Sequence, residues 1–366
     1  MDRFRLLFGE KAQDAPADFY RRVTALEVEE NADLPGAIEL TLRIATHGKP
    51  GSEDFTLVGD DRLKPYARIA VVATPEGKPA ARIFDGHVLS HRIQVARGTA
   101  AATLRVWGQD ASCLMNLKEV VKPWTGTDGE AANDIFDRYG FAQAPENTQD
   151  DSPKHTEDGH ALMQRATDAR FLRERASRNG KIFRVSFDDQ AGKITGYFVK
   201  PRLEATPSAT LTLTPRRSAN VESLAFEWDV ARPTKAFARI LLTGKEPENG
   251  DATDSGLPLL DRRSLSAFAG SDRVMESRLT TTAGSAEEIK QRAASLLREA
   301  AWFVKCEGEA DLSKVKALLR AATVAQVSGA GKLHSGKYFV WSVRHTITGP
   351  SHTMRFVLVR NAVGSA

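Results

Sequence analysis

Through the first hundred residues apolar side chains recur at every second position, and turn residues separate the runs. Ile38, Leu40, Leu42 and Ile44 alternate with Glu39, Thr41 and Arg43, which predicts a strand with one buried and one polar face. Arg22 to Glu29, Ala67 to Thr74, Arg82 to Val95 and Ala102 to Trp107 read the same way. Pro50-Gly51, Pro75-Glu76-Gly77-Lys78 and Arg97-Gly98 supply the turns between them. A closed or nearly closed barrel is expected here.

At about Asp110 the period changes. Gly129 to Tyr139 reads as a helix stopped by Gly140, and a second helical stretch runs from about Asp158 to Asn179, with a break near Thr167-Asp168. Gly180 ends it before a strand over Lys181 to Phe187, and the polar segment Ala144 to Glu157 between the helices reads as an exposed, mobile loop. From about Leu203 the β-pattern resumes over Thr210 to Thr214, Val221 to Trp228 and Lys235 to Thr243. Gly244 to Gly256, with Glu246, Glu248, Asp251 and Asp254, is too polar to pack and reads as a surface excursion. Ser285 and Glu288 form a capping box ahead of a helix carrying Ile289, Ala293, Leu296, Leu297, Ala300 and Val304. Strands over Val324 to Ser328, Lys337 to Ile347 and Thr353 to Arg360 close the chain. Phe84 to Ser90 and His334 to Val340 each place a glycine just before an alternating strand, an echo that fits a duplicated barrel. The expected fold is α+β and mostly β. Two similar antiparallel barrel-like tube domains, 1–116 and 201–366, flank an α/β insert at 117–200, and the second carries a loop and helical insertion at about 244–320.

Composition narrows the function. The 366 residues are 41% hydrophobic and 27% charged, which excludes wholesale disorder. No run approaches the roughly 20 apolar residues of a membrane helix, and Met1 to Glu10 does not read as a signal peptide, so synthesis in the cytoplasm is expected. Cys113 and Cys306 lack metal or disulfide spacing and are expected to be reduced and buried. A net charge of +4, with basic pairs only at places such as Arg21-Arg22, Arg216-Arg217 and Arg262-Arg263, predicts no specific nucleic-acid partner.

Catalytic signatures are absent: there is no HExxH, phosphate loop, GxSxG elbow or GxGxxG. His87 and His91 lie on a predicted strand, where a four-residue spacing does not converge on a metal. His155, Glu157, Asp158 and His160 lie close together in a flexible segment, where a solvated polar cluster is the simpler reading than a metal site. His345 shares a strand face with Phe339, Trp341, Val343 and Ile347 and reads as a hydrogen-bonded, partly buried imidazole. Asp60-Asp61, Asp150-Asp151 and Asp188-Asp189 read as turn or cap residues. No catalytic residue, cofactor or metal is expected, and a non-enzymatic scaffold follows.

Four stretches carry a resemblance. Phe84-Asp85-Gly86-His87-Val88 is similar to the F-x-G-x-V strand of the baseplate hub family of contractile injection systems, also called late control protein D or the hub half of the valine-glycine repeat spike proteins. Trp107-Gly108-Gln109-Asp110 with Leu114-Met115 resembles that family's junction out of the first barrel. Thr167-Asp168, Phe171-Leu172, Ala176, Gly180 and Phe183-Arg184-Val185 resemble its insert signature, and Gly336 to Val340, Val343, His345 and Met354 to Asn361 its closing hairpin. The resemblance implies a homotrimer whose paired barrels mimic sixfold symmetry and join a threefold spike to the tail tube. Glu39, Thr41 and Arg43 would then line a lumen or a seam between subunits. Implied partners are the first tail-tube ring or tube initiator, baseplate wedge proteins and a tape measure or cargo. Because the sequence ends at Gly364-Ser365-Ala366 without a needle domain, a separate spike protein is expected in a phage tail, tailocin or extracellular injection particle. An enzymatic or glycan-binding tail component, with its site in the cleft between insert and barrel near His155 to His160, is the alternative.

Overall fold

The computed structural model describes residues 4–47, 49, 54–95, 102–149, 154–157, 162–214, 218–240, 248–270, 272–280 and 286–364. The turns at Pro50-Gly51 and Arg97-Gly98, the pairs Asp150-Asp151 and Arg216-Arg217, and Asp158, His160, Glu246 and Ser285 lie outside the described residues.

In the first β-region, β1 (Phe4–Phe8), β2 (Val23–Asn31), β3 (Ala37–Ile44), β4 (Arg68–Ala73), β5 (Ala81–Gln94) and β6 (Ala102–Asp110) pair in the order β2-β3-β6-β5-β4-β1. Alternation decides the faces as expected: Ile38, Leu40, Leu42 and Ile44 are buried, while Glu39 pairs with Arg105 across the polar face at 3.7 Å.

The insert contains β7 (Glu119–Trp124), α1 (Asp128–Arg138), β8 (Leu162–Thr167), α2 (Asp168–Asn179), β9 (Ile182–Asp188) and β10 (Lys193–Val199). Trp124, Phe136, Phe171, Leu172, Phe183 and Phe198 form its core. A capping box of Thr127 and Glu130 opens α1, and Gly180 closes α2 in the left-handed region at φ 59°. The helix expected from Asp158 is shorter than the sequence suggests. Leu162–Thr167 is instead a strand on β7, because register with β7 buries Gln164 and Ala166, and Trp124 Nε1 donates to Gln164 Oε1 at 2.9 Å.

Ala144 to Glu157 is not simply a mobile loop. Pro145–Thr148 forms a 3-10 turn, and the Asn147 side chain is fully buried, donating to Gly196 O at 3.0 Å and accepting from Phe198 N at 2.8 Å. Gly129 allows this approach, since a Cβ there would lie 2.1 Å from Asn147 O.

The last β-region holds β11 (Ala209–Thr212), β12 (Ser223–Trp228), β13 (Lys235–Ile240), β14 (Glu248–Ala252), α3 (Ala286–Ala300), β15 (Val304–Asp311), β16 (Val324–Ser328), β17 (Gly336–Thr348) and β18 (Ser351–Arg360). The polar stretch expected to be an excursion yields β14. It pairs with β13 and packs under α3, where Gly250 leaves room for Ile289. Charged residues do not exclude a strand when its small positions face a helix.

The other six strands repeat the first region. Their order is β12-β15-β18-β17-β16-β11, so the first, second, third, fourth, fifth and sixth strands of each region occupy the same places. The sole difference in direction is that β1 runs antiparallel to β4 while β11 runs parallel to β16. Asn220 links β11 back toward β12, accepting from Thr212 N at 2.7 Å and donating to Thr210 O at 2.9 Å. The two regions are not separate sheets. β17 pairs with β2, which joins them, together with the two-residue strand Gln13–Asp14 beside β1, into one 13-stranded sheet over one shared core cluster.

Candidate functional site

The β-bulges set the equivalence of the two regions. In β5 pairing with β6 skips Leu89 between Val88 and Ser90, and in β17 pairing with β18 skips Trp341 between Val340 and Ser342. Superposing the bulges aligns Val88-Leu89-Ser90-His91-Arg92 with Val340-Trp341-Ser342-Val343-Arg344, and Thr103-Leu104-Arg105 with Thr353-Met354-Arg355. The glycine-to-glycine echo is thereby corrected: Gly86 corresponds to Tyr338, not to Gly336. Fixed registers extend the alignment to Glu39 with Glu307, Leu26 with Leu224 and Glu29 with Glu227.

In β17 the bulge divides one edge between two neighbours. Before it, β17 pairs with β16; after it, Ser342 to Ile347 pairs with Asn31 to Leu26 of β2. On the polar face of this seam, Arg344 Nη2 meets Glu29 Oε2 at 2.7 Å. On the core face Arg320 holds Glu30 through Nε at 2.7 and 2.9 Å and reaches Asp189 of the insert at 3.5 Å. His345 Nε2 lies 3.4 Å from Glu30, and its Nδ1 lies 3.0 Å from His352 Nε2, with both rings fully buried. Burial alone would raise the Glu30 carboxyl, but Arg320 and His345 outweigh it and hold Glu30 below the usual carboxylate range. The seam thus ties both β-regions and the insert together through one buried charge cluster.

The strands equivalent to these two have no such neighbour. Among the described residues, β5 beyond its bulge pairs only with β6, and β12 pairs only with β15. Arg92 and Glu227, the counterparts of Arg344 and Glu29, are both exposed. Trp228, the counterpart of Glu30, is 49% exposed, and Val95 is 57% exposed.

The sequence candidates fall elsewhere. His87 is buried on Tyr66 O at 3.0 Å while His91 is exposed, so the two do not converge. His155 leaves the solvated cluster expected for it: its Nε2 lies 2.9 Å from Asp128 Oδ1, and Arg175 and Asn179 hold Oδ2. Burial is outweighed there too, and Asp128 drops to about 2. His345 is hydrogen-bonded as read, but His352, Glu30 and Arg320 were missed, since they come together only through strand register. Asp60 caps a turn at Arg62 N, Asp188 caps Gln190 N and Ala191 N, and Asp189 accepts from Arg82 N. Cys113 and Cys306 are free and buried, and burial pushes Cys306 up to about 12. Among the described residues there is no group of three or more His, Cys, Asp or Glu side chains placed to hold a metal, and no helix long and apolar enough to cross a membrane.

A cavity of about 560 Å³ opens between α2, α3 and the last β-region, with Trp302, Trp341, Arg173, Lys181 and Lys305 in its wall. Trp302 stacks on Phe339 at 5.5 Å between ring centroids. His155 does not line this cleft.

The fold is that of known tail proteins. A 43 kDa tail protein of prophage MuSo2 from Shewanella oneidensis superposes with a TM-score of 0.66 at 13% identity, covering 99% of both chains. A tail protein from Neisseria meningitidis MC58 gives 0.65 at 11% identity, covering 98% of this chain and 97% of that one. The E. coli c3393 protein, described as a type VI secretion component similar to the T4 tail proteins gp27 and gp5, gives 0.55 at 12% identity, over 94% of this chain and 76% of that one. No curated protein matches the sequence. A family model described as the Alg8 N-terminal domain matches residues 20–349, and the chain belongs to the Alg8 N-terminal domain family.

Proposed function

We propose that the chain is a structural component of a contractile tail or injection particle and serves there as the baseplate hub. Three copies form a ring that joins a separate threefold spike to the first tail-tube ring, with wedge proteins around it and a tape measure or cargo in the lumen. The observation that carries this reading is the duplicated six-strand unit, joined inside the chain by a seam whose equivalent edges, on β12 and on β5 beyond its bulge, have no strand partner among the described residues. Two like units per chain are what a threefold object needs in order to present a sixfold face. The tail-protein fold and the resemblance in the hub motifs support it.

In this reading residues 1–116 and 201–366 are the tube domains, 117–200 stands outside the ring, and the charged face bearing Glu39, Thr41 and Arg43 looks into the channel. Function then rests on shape and contact rather than on chemistry. The mass of the protein measured alone and with a candidate spike tests it: a three-to-three complex is expected, and a chain that stays monomeric with spike and tube proteins overturns it.

A glycan-binding tail component is the second reading, favoured by the Trp302 and Trp341 cleft with its cations. It requires saturable binding of acidic envelope oligosaccharides that Trp302→Ala abolishes.

A further inference from the structure

Among the described residues, the unpaired edges of β12 and of β5 beyond its bulge have a chemistry that names their occupant. We infer that β5 of one copy, beyond its bulge, pairs antiparallel with β12 of the next copy in the register that β17 keeps with β2 inside the chain. This rests on the hub reading and specifies the contact that closes its ring.

The register follows from the duplication. Within the chain Ser342 opposes Asn31, Arg344 opposes Glu29 and Thr346 opposes Glu27. Carried through the bulge alignment, Ser90 opposes Asp229, Arg92 opposes Glu227 and Gln94 opposes Ala225 of the neighbouring copy. The ion pair at the middle of the intrachain seam is reproduced by sequence, Arg92 with Glu227 for Arg344 with Glu29. Until the neighbour arrives, Arg92 sits opposite the like-charged Arg105 of β6. The other face is complementary by a different chemistry. Where the intrachain seam buries Glu30 and His345, the open one offers Trp228 and Ile93, and it would cover Phe226, Leu224 and Val95 as well.

Both edges are otherwise exposed to indiscriminate strand addition. Each chain carries one of each kind, so the contact is head-to-tail and must either close as a ring or extend as a filament. Intrachain and interchain seams of one geometry give every unit the same two neighbours.

Cysteine pairing tests the register. Gln94 and Ala225 are exposed and stand seven strand steps apart along the sheet of one chain. In a Gln94→Cys, Ala225→Cys variant, mild oxidation is expected to link copies into covalent rings of three on a non-reducing gel. Thr346→Cys with Glu27→Cys, the same register position inside the chain, is the control and is expected to close within one chain. The native cysteines are buried and do not compete.

Independently, Arg92→Glu or Glu227→Arg alone is expected to weaken assembly by about tenfold or more, and the two together to restore it. A trimer that ignores both reversals, with no interchain disulfide where the control closes, overturns this pairing and leaves the hub reading standing. A chain that stays monomeric with spike and tube proteins overturns both.

Discussion

The seam between β17 and β2 and the open edges of β5 and β12 are one structural position met twice, once with its partner inside the chain and once without. Sequence has diverged between them in a telling way. The closed seam can keep charge in its interior, because Glu30, Arg320 and His345 are positioned by a single folded chain and are never required to desolvate during assembly. At the open edges the equivalent positions are apolar, Trp228 on β12 and Ile93 on β5, while opposite charges, Glu227 and Arg92, sit on the other face of the same strands. A contact that forms between copies gains from burying apolar surface and is steered and registered by rim charges. The difference separates what folding can hold from what association can use.

The largest effect on stability should come from breaking the closed seam's interior. Arg320→Ala leaves Glu30 buried without its guanidinium and should cost about 3–5 kcal/mol in chemical denaturation. Trp228→Gln, at the position equivalent to Glu30, loses an edge-on contact with Phe268 and should cost the monomer about 0.5–1.5 kcal/mol while weakening assembly.

Packing sharpens the comparison next. Leu40 opposes Val106 in the first unit, and Gly308 opposes Phe356 at the equivalent place in the second. The volume has moved across the strand pair: a Cβ on Gly308 would lie 2.7 Å from the Phe356 ring. Gly308→Leu should therefore destabilise by about 1–3 kcal/mol, and adding Phe356→Val should recover most of the loss in a thermal melt.

A pH profile distinguishes the units further. Asp110 accepts from Gly36 N at 2.5 Å and Ser112 N at 2.9 Å, yet burial dominates and raises it to about 6. Its ionisation is then disfavoured by folding, so this group lowers stability as pH rises from about 4 to about 6, by on the order of 2 kcal/mol. Asp110→Asn should flatten that window. Glu30 and Asp128 act in the opposite sense: both are held low, so their contributions are full above about pH 4.5 and fade as pH falls.

The smallest effect belongs to the exposed pair on the closed seam. Arg344→Ala should cost about 0.2–1 kcal/mol and less in high salt, since both partners are half exposed.

Much of the fold was legible because alternation and capping are local. Ile38 to Ile44 named its own buried face, and Gly140 and Gly180 marked two helix ends. Local signals failed where tertiary pairing decides. Leu162–Thr167 reads as the start of a helix until β7 lies beside it, and Asn147 reads as a loop residue until β10 supplies Gly196 and Phe198. The candidate site was hidden for the same reason, since Glu30 and His345 lie hundreds of residues apart and meet only through register. One signal was present and unread: Val-x-Ser-x-Arg followed by Thr-x-Arg occurs at 88–105 and again at 340–355. Aligning on glycines concealed it, because the conserved geometric landmark is the bulge, which carries Leu in one unit and Trp in the other.

The most direct measurement of the central claim is the rotational symmetry of the isolated assembly in averaged electron micrographs viewed down its axis. A closed ring of three copies is expected, whose inner wall shows six nearly equivalent β-units, with alternate seams made by β17 with β2 and by β5 with β12. A ring in which the two units are inequivalent, or in which copies meet through the insert rather than the sheet, would contradict it.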